Sequence, residues 1–379
     1  MNKAMNQDGN PSDKWFVIDN EEDVHSPSLL VYPDRIEENI RRMIAVAGGT
    51  ERLRPHIKTH KMPAVIRLQL KHGIGKFKCA TIAEAEMAAG AGAPDVLIAY
   101  QLTGPNIKRY FDLIAAFPKT KFSCIADSED VIIKLSETAS ARNKKASIWL
   151  DLNVGMNRTG VTPGDNALKL AMLITRLPML NFGGLHVYDG HIHEPDPVLR
   201  TKLCDEAYAP VTDFTGDLAR AGINVPGIVA GGSPTFPVHA RRKGVELSPG
   251  TLLLWDHGYG SEFTDMDFLQ AAVLFTRVVS KPAVDLICLD LGHKAVASEM
   301  SQPRIHIPGF GKFSIISHNE EHMVIRTNRA SEMKVGSVVY AIPFHICPTV
   351  DRHDTVSVVR NGIVTEQWQV EARRRQITI

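Results

Sequence analysis

Residues 76–126 read KFKCATIAEAEMAAGAGAPDVLIAYQLTGPNIKRYFDLIAAFPKTKFSCIA. Three short apolar or β-branched runs, Lys76–Ala80, Asp95–Tyr100 and Lys121–Ala126, alternate there with two longer runs, Ile82–Ala91 and Asn106–Ala116, of amphipathic helical pattern. Strands that alternate with helices in this way belong to a parallel sheet, because parallel strands need crossover connections. The alternation continues outwards on both sides. Further strands are expected at Arg52–Lys58, Ser147–Asn153, Phe182–Tyr188, Gly227–Ala230 and Val245–Leu247, with helices at Ser128–Ala141 and Ala167–Leu177. Eight such strands within about two hundred residues predict an α/β fold of the (β/α)8, TIM-like barrel type. A doubly wound open sheet is the structural rival.

Beyond Leu253 the pattern changes. Ala271–Val279, Val284–Leu289, Met323–Arg326 and Ser337–Ile342 read as strands with few helices between them. In VSVVRNGIVTEQWQV (356–370), Asn361–Gly362 is placed for a two-residue hairpin turn, where both residues need positive φ. The expected organisation is therefore an N-terminal arm over 1–25, with a place in the β domain as its alternative, a barrel over 26–252 and an antiparallel β domain over 253–379. The first residues, MNKAMNQDGNPSDK, are polar and turn-rich and read as a loose arm.

Composition narrows the function classes. Apolar residues make up 44% of the 379 and charged residues 22%, which suits a packed core and not a disordered chain. A net charge of +1 offers no electrostatic basis for a nucleic-acid partner. The five cysteines, at 79, 124, 204, 288 and 347, form no CxxC pair, so a reducing, cytoplasmic location is expected and a disulfide framework is not. No signal-like N-terminus and no apolar run of membrane-spanning length is present, so no membrane partner is expected.

Barrel enzymes place their chemistry at the C-terminal ends of the strands. The first strand ends in RPHIKTHK (54–61), with Lys58 among His56, His60 and Lys61. Neighbouring cations lower a lysine pKa and suit it to Schiff-base chemistry, while an exposed basic loop is the plainer alternative. Gly231, Gly232 and Ser233 follow the seventh expected strand, and Gly250 and Thr251 follow the eighth. Small residues in those two loops let backbone N–H groups approach a phosphate, although either loop alone reads as a turn. His345 and Cys347 would point to one side of an extended segment, which gives half of a zinc site or a buried cysteine beside a satisfied histidine.

Several motifs, in one order, resemble a known family. SPSLLVYPDRIEENI (26–40), RPHIKTHK, CATIAEAEMAAGAGAPDVLIAY (79–100), LDLNVGMNRTGV (150–161), GLHVYDGH (184–191), AGGSPTF (230–236), ELSPGTLLLWD (246–256) and IPFHICPTVDRHD (342–354) are similar to those of the D-threonine aldolase and D-serine dehydratase family. These are fold-type III enzymes with an alanine-racemase-like barrel, and the likeness runs from about residue 26 to 375. The resemblance implies that Lys58 carries pyridoxal 5'-phosphate, that Arg158 bonds its phenolic oxygen, and that Tyr188 lies near its ring. It also implies a divalent metal at His345 and Cys347. Thiolate favours zinc, with manganese the alternative, and some members carry aspartate at the second position. The substrate class implied is a small D-β-hydroxy amino acid. Lys58 would then be the Cα base, and His191 or His193, with His60 behind them, the base for the hydroxyl. Cleavage to glycine and an aldehyde is the first expectation. Dehydration of D-serine or 3-hydroxy-D-aspartate to ammonia and a keto acid is the second. An amino-acid racemase or a non-catalytic pyridoxal-phosphate protein are remoter readings. In this fold class a homodimer is expected. For His322, in NEEHM, a supporting role at the metal is expected, against a solvated charge run.

Overall fold

The computed structural model describes residues 14–379, which fall into two compact units. The first comprises 37–253, 262–268 and 371–379; the second comprises the described residues up to Ile36, 254–261 and 269–370.

Strand β1 (Ser28–Val31) belongs to the second unit, and the barrel unit begins after it. Seven parallel strands then follow in sequence order: β2 (Lys76–Cys79), β3 (Asp95–Ile98), β4 (Lys121–Ala126), β5 (Ala146–Leu152), β6 (Leu180–Val187), β7 (Ile228–Ala230) and β8 (Val245–Leu247). The expected eighth strand, Arg52–Lys58, is not a regular strand. It closes the ring as a bridging segment: Leu53 pairs with Leu247 of β8, and His56 pairs with Lys78 of β2. Arg54 N–H donates to the Leu247 carbonyl, and Lys78 N–H donates to the Pro55 carbonyl. Pro55 has no N–H to extend a ladder, and Ile57–Thr59 curl into a 3-10 turn.

The four expected helices appear as Ile82–Gly90, Pro105–Ala116, Glu129–Arg142 and Asp165–Arg176. Thr81 caps the first of them by accepting from Glu84 N–H. Inside the barrel Leu97, Ile125, Trp149 and Val229 pack together. Buried Arg54 pairs there with Asp95 and Glu246, each at 2.6 Å. An unpaired guanidinium at that depth would be costly, and the two carboxylates from β3 and β8 offset it.

The second unit is a mostly antiparallel sheet of β9 (Ala272–Ala283), β10 (Leu286–Leu289), β11 (Ile305–His306), β12 (Phe313–His318), β13 (Met323–Thr327), β14 (Val338–Pro343), β15 (Thr355–Arg360) and β16 (Ile363–Gln369), together with β1. The main path runs β12-β13-β10-β9-β1-β15-β16, and β1 lies parallel to β15. Asn361 and Gly362 have φ of 50° and 76°, as the hairpin turn requires. Of the expected arm, residues 1–13 lie outside the described residues, while Phe16, Ile18 and Val24 enter this unit's core with Leu30, Val273, Phe275 and Tyr340.

Candidate active site

The C-terminal ends of the barrel strands collect the charged residues. Lys58 sits on the 3-10 turn after the bridging segment, and His56 Nδ1 accepts from Lys58 N–H at 3.2 Å. Three cations face the Tyr188 ring, at the end of β6. Arg158 is 5.1 Å from its centroid, Lys78 5.4 Å and Lys58 5.8 Å. Lys58, Arg158 and Tyr188, which the resemblance assigns to one cofactor, are therefore brought together. Such a concentration of positive charge around one ring suits an anionic, planar ligand.

Lys78 was not anticipated. It lies one residue before the end of β2, is 2% exposed, and its Nζ lies 3.5 Å from His186 Nε2. The other nitrogen of that ring, Nδ1, lies 2.7 Å from Asp151 Oδ1. Burial, with the nearby Lys58 charge adding to it, lowers the Lys78 pKa to about 7. Burial likewise pushes His56 well below its ordinary value, with Lys58 and Lys78 reinforcing the shift. His186 is lowered by burial against the pull of Asp151.

The two small-residue loops meet. Ser233 Oγ accepts from Gly250 N–H at 3.2 Å and from Thr251 N–H at 3.0 Å. Gly232 N–H donates to Thr235 Oγ1 at 3.2 Å. These bonds tie the two small-residue loops together, and a side chain at Gly250 would be a tight fit, with a Cβ 3.2 Å from the His56 carbonyl oxygen. Among the described residues, no carboxylate pairs with Lys78. A buried lysine with no carboxylate in direct contact, beside two joined small-residue loops, fits pyridoxal phosphate, which is anionic at both its phenolic oxygen and its phosphate.

The histidines separate in their placements. His191 is exposed on the loop after β6 and packs on the loop after β5: a Cβ on Gly155 would lie 2.9 Å from His191 Nε2, and Gly155 has a φ of +118°. His193 is exposed, and its ring lies 6.4 Å from that of Phe263. His60 is fully buried, accepts from Met62 N–H through Nδ1, and has a pKa lowered by burial to about 3. A ring so enclosed does not serve as a base for a substrate hydroxyl.

In the other unit, the expectation of an extended His345–Cys347 segment is corrected. His345 is extended, but it caps a short helix, Ile346–Val350, so Cys347 lies in the first helical turn. Ile346 N–H donates to Asp256 Oδ2 at 2.9 Å, which anchors the turn. The two side chains still face each other. Burial pulls the His345 imidazole down, but Cys347, Glu299 and Asp256 outweigh it and raise its pKa to about 9. Glu299 Oε1 lies 2.6 Å from His345 Nδ1. Imidazole, thiol and carboxylate are ligand types that a divalent cation takes, although the three are not gathered as a close set of ligand atoms. His322 is exposed in the turn between β12 and β13, where Glu320 and Glu321 pair with Lys294, so this stretch is the solvated charge run. Among the described residues, the one close triad of potential ligand atoms is elsewhere, at Asp189, Cys204 and His239 of the barrel unit. Sequence reading missed it.

The chain matches the alanine racemase N-terminal domain over residues 31–257, more than half its length. It belongs to that family. Enzymes with this alanine-racemase-like fold are expected to carry pyridoxal phosphate. The family domain is followed here by a match to a putative serine dehydratase domain over residues 271–359. The chain is 30% identical to a D-threonine aldolase of Arthrobacter sp. over 92% of its length and 93% of that protein. It is 29% identical to a 3-hydroxy-D-aspartate aldolase of Paracoccus denitrificans, with 93% of each chain covered. The crystal structure of the D-threonine aldolase from Filomicrobium marinum superimposes with a TM-score of 0.86 at 26% identity, covering 95% of this chain and 99% of the other.

Proposed function

We propose that this member of the family is a pyridoxal-phosphate-dependent, divalent-metal-assisted lyase of small D-β-hydroxy amino acids, cleaving Cα–Cβ to give glycine and an aldehyde. The observation that carries the reading is the set of three cations on the Tyr188 ring beside the amides at Gly232, Gly250 and Thr251. Similarity to an aldolase across nearly the whole chain supports the substrate class.

When bound, pyridoxal phosphate supplies an electron sink for the pair left at Cα. Lys58 is the residue that would hold it, with Arg158 at the phenolic oxygen and the loops of Ser233 and Thr251 at the phosphate. His345 and Cys347 would hold the cation, which supplies Lewis acidity at a β-hydroxyl; the soft thiolate supports zinc over manganese. Lys58 Nζ takes or returns the proton at Cα. His191, on the rim against the Arg158 loop, takes the hydroxyl proton, with His193 as the alternative. Five cysteines, with no disulfide among the described residues, support a reducing, cytoplasmic setting. Among the described residues, no helix is long and apolar enough to cross a membrane. A homodimer is part of the same reading.

The test is a product assay with D-threonine, D-serine and D-threo-3-hydroxyaspartate, L-forms as controls, and zinc or manganese added. Glycine plus an aldehyde is the expected result. Ammonia plus a keto acid would transfer the chain to the dehydratase reading that the second domain match favours. No turnover would remove the substrate claim.

A further inference from the structure

Four buried side chains lie behind the Gly231–Ser233 loop and have no part in the chemistry above. Asp189, Cys204, Thr235 and His239 are each 3% exposed or less. Asp189 Oδ1 accepts from Thr235 Oγ1 at 2.8 Å, and Asp189 Oδ2 accepts from His239 Nε2 at 2.8 Å. Cys204 Sγ lies 3.4 Å from the same His239 nitrogen and 3.6 Å from Asp189 Oδ2.

The three ligand-type atoms are close enough for a metal, but the proton positions assign hydrogen bonds instead. Arg242 Nη1 donates to His239 Nδ1 at 3.3 Å. A guanidinium only donates, so Nδ1 is an acceptor and the ring proton is on Nε2, aimed at Asp189. A cation on Nε2 would need that proton moved to Nδ1, against the arginine. Burial also raises the Cys204 thiol to about 12, which keeps it protonated.

We propose that Asp189 is a positioning residue for the phosphate of the bound cofactor, acting through Thr235 and His239 on the Gly231–Ser233 loop. The loop is fixed at three points. Thr235 Oγ1, oriented by donating to Asp189, accepts the Gly232 N–H. The His239 ring, oriented by Asp189, packs on Gly231, where a Cβ would lie 2.6 Å from Cδ2 and φ is +81°. Gly231 N–H is held by the Val187 carbonyl at 3.0 Å. Asp189 also directly follows Tyr188, so the residue under the ring and the residue behind the phosphate loop move as one. Burial opposes an ionised Asp189, and the bonds from His239 and Thr235 outweigh it, holding its pKa below the ordinary range. A buried carboxylate kept ionised behind the loop fixes the loop's shape before a ligand arrives.

This inference rests on the pyridoxal-phosphate reading, and the test separates the two. The cofactor-free full chain is titrated with pyridoxal 5'-phosphate and, separately, with pyridoxal. Thr235→Val and Asp189→Asn are expected to weaken binding of the phosphorylated ligand about 10-fold or more, with pyridoxal changed less than about 2-fold. Thr235→Ser, which keeps the hydroxyl, restores parental binding. Equal weakening of both ligands, or of neither, overturns the assignment while leaving the cofactor reading intact. A parent chain that binds neither ligand overturns both. A stoichiometric metal in the parent that is absent from Cys204→Ser would replace the hydrogen-bonded arrangement with a metal site and overturn the proposal.

Discussion

Replacing Lys78 with methionine should stabilise the cofactor-free protein, most at low pH. Lys78 is buried and has His186 Nε2 as its polar partner; among the described residues no carboxylate is in direct contact with it, and Asp151 and Asp189 act on the ammonium only from a distance. Its pKa falls from 10.5 to about 7. Below pH 7 the lysine is protonated in folded and unfolded chains alike, and the folded chain bears the full cost of the buried charge. Between pH 7 and 10.5 the unfolded chain holds the proton and the folded chain does not, so stability rises with pH through that window. A depression of about 3.5 units corresponds to about 5 kcal/mol below pH 7, shrinking to about 2 kcal/mol at pH 9. Methionine, of similar length and uncharged, removes this contribution, so the gain of variant over parent should follow the same course. Urea denaturation of both proteins from pH 6 to 9 measures it. His56 and His186 also feel the Lys78 charge, but with lowered pKa values both are neutral above pH 7, so the change between pH 7 and 9 reports Lys78. A difference that does not change with pH would refute the reasoning. The same substitution should weaken binding of pyridoxal phosphate, because the unpaired cation is what the anionic ligand completes. Stability and affinity therefore move in opposite directions.

Lys58→Ala should abolish the visible absorbance band of the lysine-linked cofactor while leaving the far-ultraviolet circular dichroism unchanged; a retained band would move the cofactor lysine elsewhere. His345→Ala should reduce bound divalent metal from about one per chain to near zero and leave pyridoxal phosphate in place. Loss of cofactor with the metal intact would contradict the assignment. Gly184→Ala should force β6 and β7 apart, since the added Cβ would lie 2.0 Å from the Gly227 carbonyl oxygen and Gly184 has a φ of +131°. A cost of about 3 kcal/mol predicts a Tm lower by roughly 6–12 °C, read by calorimetry; an unchanged Tm would mean that the strands separate freely there.

The barrel was legible because strand and helix periods differ and because the turn residues between them are distinct. Lys121–Ala126 and Val245–Leu247 fall where the pattern placed them. Arg52–Lys58 did not become a strand, because proline and a tight 3-10 turn override an apolar run. Lys78 and His186 were missed for a different reason. In KFKC and GLHVYDGH, polar residues alternate with apolar ones, which ordinarily marks a solvent face. In a closed barrel one alternating face points inward, and period alone does not say which. His345 and Cys347 were identified as a pair although the local conformation was not, since a strand-to-helix junction brings the two side chains together as an extended segment would. Asp189 and His239 are 50 residues apart in the chain, and nothing in either neighbourhood marks the other as its partner.

The bridging segment that carries Lys58 is also the seam of the ring. Arg54, four residues before that lysine, is held by Glu246, 192 residues further along the chain. During synthesis the lysine leaves the ribosome early, yet its turn has β2 alone as a frame until β8 has been made. Contacts so distant in sequence form late, because loop closure must precede them. The nascent chain thus carries this lysine through about half of its translation before ring closure completes the site. Cofactor loading is a natural checkpoint for a completed barrel: a chain truncated before β8 should remain colourless even in excess pyridoxal phosphate.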